Sequence, residues 1–420
     1  MFQPNNKKTL YIIDGYGFIF RAFYAVPNLT SKTGEPIGAV YGFFKMLISL
    51  INSAKPEYMV VALDTGKRTF RNDLYDQFVE NKAIEEFFKN DECKKHFTNI
   101  NLTLEDVKNK ETSELIELIG INHDKLINLC NEYNIDILKP PKILVLLLFL
   151  ELVDHIKVED YKTQYKANRK ETPQELKGQF KIIRELINSM NISHESSIGY
   201  EADDVIATLA TEAVNNNFQV VVVSADKDLC QLVKNDAISI FDPAKKIHLD
   251  EQGVINKFGI KANQVCDYLS IVGDSCDNVF GVNGVGPKGA VKLLTKYGDI
   301  ENLLLHLNEL DDKTKQKFLA SKNVLQLARQ LVSLKYDAIQ IDNFEKYKVN
   351  IDHIGLAEFI DKYGFKSLDK QQRENGFGLH SKNQNKNHST NNNEQHRLIN
   401  QEQSTNNTTN SPYTKQGSLF

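Results

Sequence analysis

The sequence has almost no excess of charge of either sign, and it has no long hydrophobic run. In 420 residues, 51 Lys and Arg oppose 55 Asp and Glu, which leaves a net charge of −4. That balance excludes a uniformly basic nucleic-acid binder but not a local basic face, because the field that guides a ligand is local. The longest apolar run, Ile143–Leu150, is far short of the roughly 20 residues that a membrane helix needs. The first residues, Met1–Lys8, are polar, unlike a signal peptide.

Cysteine is scarce as well. The chain has five cysteines, an odd number, and no pair has the C-x-x-C spacing, so neither a disulfide framework nor a zinc site is indicated. The ten histidines form no H-x-x-x-H pair. A reduced, cytoplasmic compartment is the expectation. The 41% apolar and 25% charged residues are typical of a soluble globular protein of two or three domains.

Three short apolar runs predict buried parallel strands. They are Leu10–Ile13, Met59–Leu63 and Val220–Val223. Helical patterns lie between them, which is the alternation of an α/β sheet covered on both faces. From Asp250 to Tyr363 the pattern is helical, and from Gln371 onward it is too polar to offset chain entropy. The tail is therefore predicted to be disordered.

Each predicted strand is followed by aspartate: Asp14 after the first, Asp64 after the second, and Asp226 with Asp228 after the third. Ligands of open parallel sheets bind at the carboxyl ends of the strands, so these carboxylates are expected to share one crevice. The alternative is that aspartate is simply a good turn residue after a strand. Three strands with the same ending favour the crevice.

Two further acidic motifs strengthen this prediction. Glu201-Ala-Asp203-Asp204 opens a predicted helix, and three acids in four positions exceed what helix capping uses. In Asp274-Ser-Cys-Asp277 the two acids are three positions apart, as Glu201 and Asp204 are. So many carboxylates repel one another unless hard cations such as Mg²⁺ or Mn²⁺ neutralise them. A two-metal site suits phosphodiester hydrolysis, whereas glycoside hydrolysis needs only two carboxyls.

Two segments have features of nucleic-acid binding. A glycine-rich stretch reads as a hairpin between two helices, whose backbone N–H groups and lysines would hold a phosphate. Its key residues are Gly284, Gly286, Lys288 and Lys292. The segment Tyr165-Lys166-Ala-Asn-Arg169 is basic with one aromatic, which suits base stacking and phosphate contact. A solvated helix face is the alternative for that segment.

Taken in order, these motifs resemble the 5′→3′ exonuclease module of bacterial DNA polymerase I, a member of the flap endonuclease family. The likeness runs from about Thr9 to about Leu368. It implies an α/β fold with a PIN-like parallel sheet flanked by helices, and a helical region that carries a helix-hairpin-helix element. It also implies cleavage of DNA with a 5′ flap, nick or RNA-primed end, in primer removal and repair.

The resemblance assigns roles to single residues. The metal ligands would be nine acids: Asp14, Asp64, Glu201, Asp203, Asp204, Asp226, Asp228, Asp274 and Asp277. They would hold two Mg²⁺ or Mn²⁺ ions, with a third left open. Lys166 and Arg169 would place the scissile phosphate, Arg21 would contact phosphate, and Tyr165 would stack on a base. The glycine turn with Lys288 and Lys292 would grip duplex DNA. The protein is expected to act as a monomer.

The chain departs from the family pattern between residues 78 and 164, which form an insertion where the family's helical arch begins. The insertion either bulges outward at little entropic cost, or obstructs the arch. The predicted domains are therefore a discontinuous nuclease core (1–77 and 165–250), the insertion (78–164), the helix-hairpin-helix region (251–370) and the tail (371–420).

The end of the tail has a motif of its own. Gln416, Leu419 and Phe420 are spaced as in the pentapeptide by which bacterial replication proteins bind the sliding clamp, and chance in a Gln-rich tail is the alternative. No polymerase region follows the nuclease motifs. The sequence thus predicts a stand-alone, structure-specific 5′ nuclease. The alternatives are a DNA-binding protein whose cleavage is weakened or lost through the insertion, and the N-terminal part of a split DNA polymerase I.

Overall fold

A six-stranded sheet forms the centre of the molecule. The computed structural model describes residues 7–26, 29–132, 135–136, 140–150 and 165–365. The strands are β1 (Thr9–Asp14), β2 (Tyr58–Ala62), β3 (Ser193–Glu195), β4 (Gln219–Val223), β5 (Ile238–Asp242) and β6 (Ile247–Leu249). Their order is β3-β2-β1-β4-β5-β6, and only β6 runs antiparallel to its neighbour. The predicted parallel α/β sheet is confirmed, and the three predicted strands correspond to β1, β2 and β4.

The register of the sheet aligns the strand ends. Every residue of β2 and of β4 is buried, as expected for parallel strands covered on both faces. Asp14 pairs with Ala62 of β2, and Ile13 pairs with Val223 of β4, so these three strands finish level with one another. The chain order reverses between β1 and β4. Such a reversal opens a crevice at the carboxyl ends of the two strands.

Helices cover both faces of the sheet. In chain order they are α1 (Gly15–Ala25), α2 (Gly38–Ala54), α3 (Phe70–Lys89), α4 (Asp91–Asn99), α5 (Leu104–Asn109), α6 (Thr112–Ile119), α7 (His123–Glu132), α8 (Lys142–Phe149), α9 (Gln174–Ser189), α10 (Ala202–Asn215), α11 (Glu251–Phe258), α12 (Val265–Val272), α13 (Pro287–Tyr297), α14 (Ile300–Leu305), α15 (Asp312–Ala320), α16 (Lys322–Val332) and α17 (His353–Tyr363). Helices α1, α2, α9 and α17 share a hydrophobic cluster on one face. Helix α10 and the helical region α11–α16 share a second cluster on the other.

Helices α4–α8 surround a third hydrophobic cluster, separate from the two that cover the sheet. The apolar run noted in the sequence is α8, a helix with five buried side chains in this cluster. Helix α3 runs without a break through residue 78, and its Phe78 still packs against the main core while its Ile84 belongs to the third cluster. No structural break therefore marks the predicted start of the insertion, and its boundaries stay a prediction.

Several expectations concern parts outside the sheet. The predicted helical region between Asp250 and Tyr363 is confirmed, although its last helix, α17, packs against α9 on the opposite face of the sheet. The five cysteines all lie in the described ranges, and none of them is in a disulfide. Within the described ranges, no helix has both the length and the apolar character needed to cross a membrane. The tail and its predicted clamp-binding residues Gln416, Leu419 and Phe420 lie outside the described residues.

Candidate functional site

A first carboxylate group collects at the carboxyl ends of the central strands. Its members are Asp14, Asp64, Glu201, Asp203 and Asp226. Asp14 caps α1, accepting from Gly17 N at 2.9 Å and from Ser224 Oγ at 2.7 Å. Asp64 Oδ1 accepts from Ala202 N at 2.7 Å, and this bond ties the end of β2 to the start of α10.

The members of this group repel one another. Burial raises the pKa of Asp14 to about 6, and the charges of Asp226 and Asp64 add to the effect. Burial also raises the pKa of Asp64, and it raises that of Asp203 well above the ordinary value, together with Asp226 and Asp14. Among the described residues, no Lys or Arg lies within 4.0 Å of Asp14, Asp64, Asp203 or Asp226. This part of the crevice therefore lacks a cation of its own.

A second carboxylate group consists of Asp228, Asp274 and Asp277. One oxygen from each lies within 4.8 Å of the others. Asp228 follows β4, and the other two belong to a short hairpin of β7 (Gly273–Asp274) and β8 (Val279–Phe280). Burial raises the pKa of Asp228 to about 7, with Asp226 contributing next. The Asp228 Oδ1 atom is buried and has no hydrogen-bond partner, which is the condition that a bound cation would relieve.

Both groups face the same small cavity. Glu201 and Asp203 of the first group line it together with all three members of the second group. Eight of the nine predicted acids thus meet at one edge of the sheet. Carboxylate oxygens in this number and at this spacing fit hard divalent cations such as Mg²⁺ or Mn²⁺.

Three cationic side chains border the second group. Lys166 Nζ lies 2.7 Å from Glu201 Oε1 and 3.9 Å from Asp277 Oδ2. Arg169 donates to Asp277 Oδ1 from Nε at 2.7 Å and from Nη2 at 2.6 Å. Lys227 was not predicted, and its Nζ bonds to Asp274. Its place between Asp226 and Asp228 in the sequence was the available signal.

Asp204 is the exception among the predicted ligands, and the structure does not bring it to either carboxylate group. Its two oxygens accept from Arg71 at 2.6 and 2.8 Å, and its side chain is fully buried. It also accepts from the backbone N of Glu201 at 3.1 Å and of Lys335 at 2.9 Å. As the third residue of α10 it completes a capping box with Glu201. All of these hydrogen bonds come from Arg71 and from backbone N–H groups, and the predicted role of Asp204 as a metal ligand stays a prediction.

Arg71 was missed by the sequence analysis. It lies near the start of α3, is 2% exposed, and also donates to the carbonyl oxygens of Leu331 at 2.6 Å and Ser333 at 2.8 Å. Its Nη1 lies 3.7 Å from Glu201 Oε2. A single buried arginine thus joins α3, the start of α10 and the end of α16. No local pattern marks such a residue in the sequence.

Tyr165 is also buried. Its side chain is 7% exposed in the main core, with its ring centroid 6.2 Å from that of Tyr75, and burial raises its pKa. The predicted stacking of Tyr165 on a base stays a prediction, and in this fold the side chain is buried beside the cavity. Arg21 lies on α1 with Nη1 3.9 Å from Asp242 Oδ1 at the carboxyl end of β5. Its predicted phosphate contact stays a prediction.

The glycine-rich stretch connects α12 and α13 as the predicted helix-hairpin-helix element. Gly284 has a φ of 74°, a conformation that favours glycine, and its carbonyl oxygen accepts from Lys317 Nζ at 2.7 Å. Gly286 caps α13, whose first residue is proline. Lys288 and Lys292 are exposed on α13 four residues apart, so they share one face of the helix.

Comparison with known proteins identifies relatives along most of the chain. The family model "5'-3' exonuclease, N-terminal resolvase-like domain" matches residues 9–127 and 126–259, and "5'-3' exonuclease, C-terminal SAM fold" matches residues 260–353. A 5'-3' exonuclease of Aquifex aeolicus is 31% identical over 367 residues, which are 87% of this chain and 95% of that protein. DNA polymerase I of Rhizobium leguminosarum is 32% identical over 337 residues, 78% of this chain but only 24% of the polymerase.

Two solved structures match most of the chain at low identity and with TM-scores below 0.5. The T5 D15 protein co-crystallised with metal ions is 17% identical, with 88% of this chain and 98% of that chain covered and a TM-score of 0.45. The catalytic core of Rad2 in complex with a DNA substrate is 11% identical, with 88% and 92% covered and a TM-score of 0.47.

Proposed function

The chain belongs to the 5′-3′ exonuclease family, and we propose that it cleaves phosphodiesters at the 5′ ends, flaps or nicks of DNA with the help of divalent metal ions. The observation that carries this proposal is the pair of carboxylate groups facing one cavity. Four members of the first group have no cationic partner among the described residues, and the second contains a buried oxygen without a hydrogen bond. Both conditions favour cation binding.

Each carboxylate group would bind one of two metal ions. The first carboxylate group would hold one Mg²⁺ or Mn²⁺ ion and the second group the other. When bound, such a pair of ions supplies an activated water and stabilises the leaving oxygen. The chain contributes ligands fixed by backbone bonds, because Asp14 and Asp64 each accept from an N–H group at the start of a helix.

Lys166 and Arg169 would receive the scissile phosphate. Their side chains are 23% and 52% exposed, and both contact Asp277 at the rim of the cavity. A guanidinium group binds phosphate through two parallel hydrogen bonds, so Arg169 fixes the orientation and Lys166 adds charge. Duplex DNA would lie along α13, which carries two exposed lysines.

Cleavage of a labelled 5′-flap duplex, with Mg²⁺ and with chelator in parallel, tests the proposal. We expect Mg²⁺-dependent cutting near the flap junction, loss of cutting in Asp203→Asn, and unchanged cutting in the surface control Lys362→Met. Binding without cutting by the wild-type chain would instead support a DNA-binding protein whose insertion prevents turnover. Absence of both binding and cutting would contradict the proposal.

The clamp-binding role of the C-terminal residues remains a separate proposal. It is supported only by the spacing of Gln416, Leu419 and Phe420. Deletion of residues 416–420 is expected to abolish binding to an immobilised bacterial sliding clamp while Mg²⁺-dependent cleavage continues. Unchanged clamp binding would remove this proposal alone.

A further inference from the structure

The two carboxylate groups differ in how the chain itself compensates their charge. In the first group only Glu201 has cationic partners among the described residues, Lys166 and Arg71. In the second group every carboxylate has at least one: Lys227 lies at Asp228 and Asp274, and Arg169 and Lys166 lie at Asp277. The chain therefore supplies a cation to every member of the second group but to only one member of the first.

Lys227 occupies the position of a cation between two ligands. Its Nζ bonds to Asp274 Oδ2 and lies 3.7 Å from Asp228 Oδ1, the oxygen that has no hydrogen bond. The lysine ammonium thus lies inside the second carboxylate group, in contact with two of its three members.

The backbone around Lys227 is fixed by hydrogen bonds, while its side chain is partly exposed to solvent. Asp228 N donates to Asp226 Oδ1 at 2.9 Å, and Cys230 N donates to the Lys227 carbonyl oxygen at 3.1 Å. The side chain is 38% exposed, so a route to solvent exists. A lysine ammonium at the end of a flexible four-carbon stem can leave the group without any change in the strand or the turn.

We propose that Lys227 is an internal counter-cation that holds Asp228 and Asp274 together in the metal-free protein and is displaced when a divalent ion binds the second carboxylate group. The inference rests on the proposed function, since it concerns the same metal centre. Because Lys227 Nζ contacts Asp274 Oδ2 and Asp228 Oδ1, an Mg²⁺ or Mn²⁺ ion that takes these two oxygens as ligands competes with the ammonium and expels it. Lys227 thereby sets the affinity of the second metal below that of the first.

Calorimetric titration of the metal-stripped full chain with Mn²⁺, without DNA, tests this competition. The variant Lys227→Met removes the ammonium and keeps the length of the side chain. The control Lys362→Met removes the same charge from an ion pair with Glu185 on a distant surface. We expect the weaker of two sites to tighten by up to about fivefold in Lys227→Met, the upper range that a partly exposed ion pair is worth, and to stay unchanged in the control.

The alternative outcomes separate this inference from the proposed function. An unchanged or weaker second site in Lys227→Met would overturn the counter-cation role. Equal tightening in both variants would overturn it too, because it would reflect net charge alone. If the wild-type chain bound no Mn²⁺ at all, the proposed metal centre itself would fail.

A second measurement uses the wild-type chain and does not depend on how the variant folds. Reductive methylation with mass-spectrometric detection reports how accessible each lysine ammonium is. Addition of Mg²⁺ is expected to speed methylation of Lys227 several-fold relative to Lys362. Equal or slower methylation of Lys227 with Mg²⁺ would show that the ion does not displace it.

Discussion

At the scale of single residues, Arg71 connects three helices, α3, α10 and α16. No sequence motif predicted this role. Arg71 forms a two-bond ion pair with Asp204 and donates to two carbonyl oxygens near the end of α16. Removing one partner of such a buried pair leaves an uncompensated charge in the core. The start of α10, which carries Glu201 and Asp203, depends on this contact for its position.

Substitution of Arg71 by methionine is therefore expected to lower the free energy of unfolding by about 3–5 kcal/mol. The measurement is urea unfolding monitored by circular dichroism. Arg68→Met is a matched control three residues away. Its ion pairs with Asp73 and Asp76 are exposed, so the expected loss is below about 1 kcal/mol. Equal losses in the two variants would contradict the role of Arg71 as an anchor.

The acids of the crevice predict a pH-dependent effect of metal on stability. The pKa values of Asp14 and Asp228 rise from 3.8 to about 6 and about 7 in the metal-free fold. A raised carboxyl pKa contributes stability that is present below about pH 4 and is lost as the pH rises through 6 to 7. Metal binds the ionised form, so it offsets this loss only at the higher pH.

We accordingly expect Mg²⁺ to raise the melting temperature little at about pH 5 and clearly more at about pH 8. Differential scanning fluorimetry of the same preparation, with Mg²⁺ or chelator at each pH, makes the comparison. In Asp14→Asn the difference between the two pH values should shrink. A Mg²⁺ effect independent of pH would show that these carboxylates do not titrate with metal binding.

At this scale the sequence predicted that the acids following the strands lie together, but it did not predict the surroundings of residues that are set by tertiary contacts. Asp14, Asp64 and Asp226 could be predicted because strand ends of a parallel sheet meet by construction. The role of Asp204 depends on Arg71, 133 positions away along the chain. The burial of Tyr165 depends on Tyr75 in the same way. Neither partner can be inferred from the neighbouring residues in the sequence.

At the scale of secondary-structure elements, α13 is expected to contribute affinity for DNA rather than catalysis. Lys288→Ala and Lys292→Ala should each weaken duplex binding and reduce the salt dependence of log affinity by about one unit of slope. The measurement is fluorescence anisotropy with a labelled duplex over a series of salt concentrations, with Ca²⁺ in place of Mg²⁺ to prevent cutting.

The same helix offers a control for this experiment. Lys296 lies on α13 but is paired with Glu309 at 3.2 Å, so Lys296→Ala should leave the salt slope unchanged. If all three variants lowered the slope equally, the effect would reflect overall charge. If none did, the duplex would not contact this helix.

Elements differed in how far the sequence could predict them. Strands β2 and β4 were predictable because buried parallel strands are apolar at every position. The side on which α17 packs was not, since its partner α9 lies more than 160 residues earlier, and contacts such as Tyr363 Oη to Glu185 Oε2 at 2.8 Å hold the two together. An amphipathic pattern indicates that a helix packs against another element, but it does not indicate which element that is.

At the scale of the whole molecule, the hydrophobic residues form clusters that do not merge. Two cover the faces of the sheet, and the third lies among α4–α8 and meets the remainder chiefly through α3. Units with separate cores usually unfold in separate transitions. Calorimetry of the full chain should thus show two unfolding transitions.

Metal addition should distinguish those two transitions. Mg²⁺ is expected to raise the one that belongs to the sheet, since both carboxylate groups lie there, and to leave the transition of α4–α8 in place. A single transition that shifts as a whole with Mg²⁺ would mean that the third cluster is stabilised only together with the sheet.

Helix α3 is a long lever that is anchored in the core at one end. Its 20 residues extend about 30 Å at 1.5 Å per residue, with Arg71 holding one end in the core and Lys89 exposed at the other. A tilt of about 10° at the anchored end would displace the far end by roughly 5 Å over that length. A fluorophore on Lys89, paired with one on the sheet, would turn small movements beside the carboxylates into a change of energy transfer that an optical instrument can follow in real time.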